Sequence, residues 1–231
     1  MNTLPTLTLP KYNLTLPSSG KKISFRPFIV KEEKILLMAM EGEVLEEITD
    51  AVKFLISGCT FGKLDPEEIP LPDLCFLFIN IRAKSVGEIA SPNITCEFCK
   101  ESNIIDVDLT KVKITKNKNH TNKISFDDGK GMVLKYPTIG MENVMSTDSE
   151  TFSVIADCID TIYDGDNVYK AEDYKKEELI EFIEGLSHKQ FEDVTSFFTT
   201  MPELNHKIKF ECKKCKEENN IKLEGIRDFF L

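Results

Sequence analysis

Several features that define large classes of protein are missing from this sequence. Among its 231 residues there is no tryptophan, and 16 phenylalanines supply most of the aromatic content, so we expect a core of Phe, Leu and Ile. The longest apolar runs, such as LCFLFINI, fall far short of the roughly 20 residues of a membrane helix. No basic end followed by a long apolar stretch opens the chain. We therefore expect a cytosolic protein without a membrane partner.

Positive charge is also scarce. Lys and Arg number 29 against 39 Asp and Glu, which leaves a formal net charge of −10. Because neutralising phosphates requires clustered Lys and Arg, a general nucleic-acid binder is disfavoured. One stretch differs: Lys111 to Lys123, KVKITKNKNHTNK, contains lysines and no acid. A solvated hairpin or loop is its simplest interpretation.

Catalytic motifs are missing as well. The three histidines, His120, His188 and His206, do not stand beside a nucleophile motif, and each is interpreted as a surface residue. The stretch GKGM lacks the spacing of a phosphate-binding loop. Asp164 and Asp166 resemble the start of a calcium loop, but no Glu follows at its twelfth position, so a hairpin turn through Asp-Gly is simpler. The sequence therefore predicts no enzyme and no catalytic residue.

The spacing of apolar residues alternates between helical and strand-like along the chain. Helices are predicted on both sides of Gly42, with Gly58 ending the second, and a third from about residue 71 to 87. After Ser149, ETFSVIADCIDTIYDG again has helical spacing, and two more helices follow with Asp173 and Ser187 as their caps. This order predicts an α+β fold.

The predicted organisation has five segments. The first is rich in Leu and Pro and is expected to be extended, either as a strand or as an arm that clasps a partner. The segments are an arm at 1–20, a mainly helical region at 21–90, a strand-rich region at 91–145, a helical region at 146–202, and a C-terminal segment at 203–231 that packs with 91–145.

What the sequence does contain is one short motif that occurs twice, called the repeated phrase below. NITCEFCKESN begins at Asn93 and KFECKKCKEEN at Lys209, and each is Cys-x-x-Cys followed by Lys, Glu, any residue and Asn. In a reducing compartment, paired cysteines are read as metal ligands before disulfides. Two such knuckles supply the four thiolates of a closed, structural zinc site and form a small zinc-ribbon-like module between the helical blocks. The predicted ligands are Cys96, Cys99, Cys212 and Cys215.

Other uses of these cysteines stay open at this point. They could form two redox dithiols, hold an iron–sulfur cluster, or belong to knuckles whose strands pair without metal. Their long separation in the chain is no objection, because closure entropy grows only logarithmically with loop length. Cys59, Cys75 and Cys158 lie in helical contexts and are expected to be buried thiols.

An ordered set of fragments resembles one family. The fragments are FRPFIVKEEKILL, the first knuckle, YPTIG, CIDTIYDGDNVY, FEDVTSFFTTMP, the second knuckle and GIRDFF. Together, from about Lys21 to Leu231, they resemble the baseplate hub subunit family of T-even-type contractile-tailed bacteriophages. The resemblance implies a non-enzymatic part of the virion, at the baseplate centre where the tail tube begins and the spike attaches. It implies other hub and tail proteins as partners, with a homo-oligomer possible, and assembly in the host cytoplasm.

Two further functions remain as alternatives. An assembly chaperone would bind hub components transiently and then leave. A zinc-ribbon nucleic-acid adaptor would use the knuckles together with the Lys111 to Lys123 stretch. The overall acidity and the lack of aromatic residues in that stretch argue against the adaptor.

Overall fold

The computed structural model describes residues 7–42, 44–139, 141 and 148–223. Within them, helices and small antiparallel sheets are mixed, which confirms the predicted α+β class. None of the helices in these ranges is long and apolar enough to cross a bilayer. The helices are α1 (Val30–Gly42), α2 (Leu45–Cys59), α3 (Leu71–Ser85), α4 (Asp148–Cys158), α5 (Lys176–Glu184) and α6 (His188–Thr200).

The strands are short, apart from those near the C-terminal end. They are β1 (Tyr12–Thr15), β2 (Lys22–Phe25), β3 (Ile89–Ala90), β4 (Asn93–Thr95), β5 (Ser102–Ile104), β6 (Val107–Asp108), β7 (Lys113–Thr115), β8 (Lys123–Ser125), β9 (Lys130–Leu134), β10 (Ile159–Asp164), β11 (Asn167–Lys170), β12 (Glu203–Glu211) and β13 (Glu218–Leu223).

The chain divides into two compact units. The first contains Met1–Pro66, Pro72–Ile114 and Glu203–Leu231, and the second contains Glu67–Leu71 and Thr115–Pro202. The division between Ile114 and Thr115 falls inside the region 91–145 that the sequence treats as one segment. Both cysteine knuckles belong to the first unit.

Three helices build the core of the first unit. Helices α1 and α2 pack against each other and meet at the break that Gly42 predicts. Leu36 of α1, Leu55 and Ile56 of α2 and Phe78 of α3 are all at most 1% exposed. Each such side chain contributes about 2–3 kcal/mol relative to an exposed one. Cys59 and Cys75 are buried here, as expected.

The first hairpin is part of this unit. Strands β1 and β2 pair antiparallel, and the next side chain, Leu16, is only 2% exposed. The buried carboxylate of Asp73 accepts hydrogen bonds from the Ser18 backbone N–H at 2.7 Å and from the Ser19 hydroxyl at 2.9 Å. The predicted arm boundary at residue 20 thus lies inside a hairpin, since local spacing does not reveal a strand partner. Part of the predicted segment 1–20 is therefore a strand, and its role as an arm that clasps a partner stays a prediction; residues 1–6 lie outside the described residues.

A buried ion pair connects β2, α1 and the end of α2. The Arg26 guanidinium donates to both carboxylate oxygens of Glu32, at 2.8 and 2.6 Å, and the Arg26 backbone N–H donates to the Cys59 carbonyl. A Cβ at Gly58 would lie 2.6 Å from Glu32 Oε1, so glycine leaves the space that this carboxylate occupies. Burial raises the pKa of Glu32, but hydrogen bonds from Arg26 and from the Ile29 N–H outweigh it and lower the pKa overall.

The second unit packs helices on one antiparallel sheet. Its strand order is β11-β10-β9-β8. The sheet contributes Met132 and Ile159 to a buried cluster, and the helices contribute Ile155, Ile183 and Phe197. Each of α4, α5 and α6 therefore buries apolar side chains against this sheet.

Two local predictions in this unit are wrong and one is confirmed. The helix predicted to run through Ile159 ends at Cys158, because residues 159–164 pair with β9 and become β10. The cap of α5 is Lys175, whose N–H donates to the Glu178 carboxylate at 2.8 Å, rather than the predicted Asp173. Ser187 caps α6 as predicted, with its side chain accepting from the Gln190 N–H.

Candidate metal centre

The structure brings the four predicted ligands together in the first unit. The sulfur atoms of Cys96, Cys99, Cys212 and Cys215 all lie within 4.8 Å of one another. Two of these contacts cross between the knuckles: Cys96 Sγ lies 3.7 Å from Cys215 Sγ, and Cys99 Sγ lies 3.6 Å from Cys212 Sγ. A tetrahedron with metal–sulfur bonds of ~2.3 Å has edges of about 3.8 Å. The spacing therefore fits one tetrahedral ion.

The same spacing bears on the alternatives for these cysteines. A disulfide needs its sulfurs about 2.05 Å apart, so none of these contacts is a disulfide. A redox dithiol would need only the two sulfurs of one knuckle, whereas here each knuckle also brings its sulfurs within 3.7 Å of the other knuckle. Sulfurs spaced for a single ion leave no room between them for several bridged irons.

Each knuckle is the tip of a hairpin and repeats one turn. At the first, the Cys96 N–H donates to the Glu101 carbonyl at 2.8 Å; at the second, the Cys212 N–H donates to the Glu217 carbonyl at 3.0 Å. The residue after each second cysteine has a left-handed backbone, with φ of 60° at Lys100 and 63° at Lys216. The repeated phrase in the sequence is therefore a repeated backbone conformation, which aims two sulfurs at one point.

Two buried asparagines lock the knuckles to each other. Asn219, after the second knuckle, accepts from the Glu97 N–H at 2.9 Å and donates to Cys96 Sγ at 3.4 Å, both in the first knuckle. Asn103, after the first knuckle, accepts from the Lys213 N–H at 3.0 Å and donates to Cys212 Sγ at 3.7 Å, both in the second. Both side chains are fully buried.

The site thus has an approximate two-fold symmetry that includes its hydrogen bonds. Sequence reasoning noted the asparagine in the repeated phrase but assigned it no role. The signal that could have found it is the recurrence of Asn four residues after each second cysteine. Second-sphere donors of this kind orient metal ligands and stabilise their charged form.

Backbone donors favour thiolates at the first cysteine of each knuckle. The N–H groups of Cys215 and Lys214 lower the pKa of Cys212 to about 6. Burial raises the pKa of Cys96, but the Cys99 N–H and the Asn219 amide outweigh it and lower the pKa overall. The Glu217 N–H lowers the pKa of Cys215, but burial and the neighbouring thiols raise it to about 12.

These opposed shifts have one physical cause. Four sulfurs this close cannot all carry negative charge unless a cation lies between them, so protonation is shared across the cluster. A divalent ion would supply that charge and convert all four thiols to thiolates. The donor set therefore fits a soft, tetrahedral metal ion such as zinc.

The neighbouring lysines contribute less than their number suggests. Lys214 lies 2.9 Å from Glu101, and Lys216 lies 3.7 Å from Glu211, so both are paired with acids. All four of these side chains are at least 41% exposed, and ion pairs at such exposure are worth little. The backbone and the two asparagines, rather than the lysines, stabilise the sulfurs.

One family model matches almost the whole chain. It is described as the T4 bacteriophage base plate protein, and it matches residues 9–231. The chain belongs to this family. No curated protein and no solved structure matches the chain.

Membership in the T4 base plate protein family gives the chain a structural role in the phage baseplate, at the virion tail, among other baseplate and tail proteins. The first and second knuckles, YPTIG and the other fragments named above all lie inside the matched range. GIRDFF also lies inside it, although residues 224–231 are outside the described residues.

The histidines lie in different surroundings, and the predicted surface position is wrong for His120 and His206. His188 is exposed on α6, as expected. His120 is half-buried: its Nδ1 lies 3.0 Å from Thr200 Oγ1, its Nε2 lies 2.9 Å from the Tyr136 hydroxyl, and its ring stacks on Tyr136. Burial lowers the pKa of His120. A loop position in the sequence does not reveal that a ring folds inward. His206, on β12, is also half-buried, and burial lowers its pKa.

The other predicted polar groups are dispersed. Asp164 and Asp166 flank Gly165 in the turn between β10 and β11, which confirms the predicted hairpin. Part of the Lys111 to Lys123 stretch forms β7 beside β12, and Lys111 pairs with Asp108 at 3.0 Å. Among the described residues, the group of side chains that could bind a metal ion is the one formed by the four cysteines.

Proposed function

We propose that this chain is a structural, non-enzymatic subunit of the baseplate hub that links tail-tube and spike components during assembly. The observation that supports it best is the family match over residues 9–231. The ordered fragments of the sequence point to the hub within the baseplate.

We further propose that one zinc ion, bound by Cys96, Cys99, Cys212 and Cys215, stabilises the subunit. Bound zinc would act as a cross-link, with four thiolates closing its coordination shell and leaving no position for a reactive water. It would connect the β12–β13 hairpin to the β4–β5 hairpin, whose three-residue strands bury little apolar surface of their own. A closed site of this kind suits a protein that bears load rather than one that turns over a substrate.

The hub assignment is tested by counting the chain through assembly. Quantitative mass spectrometry of purified virions should find it at a few copies per particle, in a fixed ratio to other hub proteins. An assembly chaperone would instead appear in baseplate intermediates and be missing from finished virions. Absence from mature particles would therefore reject the structural role and support the chaperone.

The zinc assignment is tested by metal content and unfolding. The purified chain should contain one zinc per molecule, and the Cys96→Ser, Cys212→Ser double variant should contain none. Because zinc binding supports folding, the thermal midpoint of the double variant should fall by about 10 °C or more. Cys158→Ala, at a buried cysteine outside the cluster, controls for loss of a thiol. Iron in place of zinc, or a double variant that unfolds like this control, would contradict the assignment.

A further inference from the structure

A groove of about 650 Å³ opens in the second unit. It is lined by residues of β10, β11 and α5 and by the segment between β11 and α5. Three of its large side chains are unusually exposed: Tyr169 by 39%, Tyr174 by 42% and Phe182 by 37%. The Tyr169 and Tyr174 rings contact edge to face, with centroids 6.4 Å apart. An aromatic concavity of this size is typical of a binding site.

The groove lies beside an open sheet edge. Strand β11 is the outermost in the order β11-β10-β9-β8, and within the described residues it pairs with β10 alone. All four of its residues, Asn167–Lys170, are exposed. A strand with one unpaired edge offers backbone N–H and C=O groups to another extended chain.

The polar groups of the groove carry an excess of negative charge. Lys130 faces Asp164 at 4.0 Å, so these two charges offset each other. Glu178 and Glu181 remain; Glu178 accepts the Lys175 N–H, and Glu181 has no ion pair among the residues that the structure describes. Two uncompensated carboxylates favour a cationic ligand and repel phosphates.

We propose that this groove and the open edge of β11 bind an extended, basic segment of another baseplate protein. The segment adds a strand beside β11, places a large apolar side chain against Tyr169, Tyr174 and Phe182, and places a Lys or Arg next to Glu178 and Glu181. A second copy of this chain would bring its own net charge of −10 to an acidic rim, so a different protein is the better match. The site goes beyond the hub role, and it does not depend on the metal.

The test uses overlapping peptides that cover the virion proteins of the encoding phage, including this chain, probed with the full-length protein. Bound peptides should carry a large apolar residue next to Lys or Arg. The peptide bound best is then titrated by fluorescence anisotropy. Phe182→Ala should weaken it about tenfold, and Glu181→Lys about fivefold. Phe54→Ala, which removes a 48% exposed ring from α2 in the first unit, should leave the affinity unchanged.

Backbone methylation separates strand addition from simple burial of a side chain. Methylating the amide nitrogens of the bound peptide at one set of alternating positions should abolish binding, and at the other set should not. Several results would overturn the proposal: no bound peptide, binding of acidic peptides only, binding of peptides from this chain only, or equal affinity for the Phe182→Ala and Phe54→Ala variants. If both methylated peptides still bind, strand addition is wrong. Thermal unfolding of each variant confirms that the fold is retained.

Discussion

Replacing Asn219 by alanine should weaken the knuckle module more than any exposed change near it. The side chain is fully buried and spans the two knuckles. Its amide donates to Cys96 Sγ at 3.4 Å and to the Glu217 carbonyl at 3.0 Å, and its oxygen accepts from the Glu97 N–H at 2.9 Å. Alanine removes all three hydrogen bonds and leaves the Glu97 N–H without this partner.

The magnitude follows from those contacts. Each of the three hydrogen bonds contributes about 1 kcal/mol net, and because Glu97 is exposed, its freed N–H can bond to water without a further burial penalty. The free energy of unfolding should therefore fall by about 3 kcal/mol at saturating zinc. Loss of a second-sphere donor should also reduce zinc affinity by about 10- to 100-fold.

Two measurements check this prediction. Urea unfolding at fixed zinc gives the free energy, and competition with a chromophoric chelator gives the zinc affinity. Asn220→Ala changes the adjacent, exposed asparagine and should alter neither quantity. Asn103→Ala removes the symmetry-related contacts and should match Asn219→Ala, and the two changes together should be less than additive because they disrupt one site. If Asn219→Ala behaves like Asn220→Ala, the hydrogen bonds from Asn219 to the first knuckle do not stabilise the site.

Three further predictions concern the rest of the chain. Arg26→Met leaves the Glu32 carboxylate, 6% exposed, without its cation and should cost about 3 kcal/mol in urea unfolding. Burial lowers the pKa of His120 below 6.5, so its contribution to stability should be present above that pH and be lost as pH falls below it. His120→Gln should abolish that part of the pH dependence, and an unchanged profile would refute it. Deleting residues 1–20 removes β1, the buried Leu16 and the turn that hydrogen-bonds to Asp73, so the thermal midpoint should fall. Deleting residues 1–11, which precede β1, should leave the thermal midpoint unchanged.

Local patterns in the sequence were sufficient for much of the fold. The break at Gly42, the cap at Ser187 and the Asp-Gly hairpin at Asp164 follow from residues within a few positions of each other, and the structure contains all three. The helix predicted through Ile159 fails because pairing with β9, a distant strand, outweighs a local helical spacing. For the same reason, the sequence could not decide between a strand and an arm for residues 1–20 or predict the inward ring of His120.

The candidate metal site likewise has features that local sequence predicts and features that depend on tertiary packing. The Cys-x-x-Cys spacing predicts which sulfurs could share a metal, because a short turn alone determines that two of them point the same way. It does not predict that sulfurs of different knuckles come within 3.7 Å of each other, or that Asn103 and Asn219 each hydrogen-bond to the opposite turn. Those contacts depend on how two hairpins are packed against each other.

By itself, the sequence determined the mixed helix and strand class, the four cysteines that could share a metal and the resemblance to the phage baseplate, since all three depend on residue types and short spacings. The tertiary structure alone decided that the knuckles meet, that two asparagines join them, and that a strand edge lies open beside an acidic, aromatic groove. Such features require residues far apart in the chain to come within a few ångströms, and that proximity is set by the packing of the whole unit.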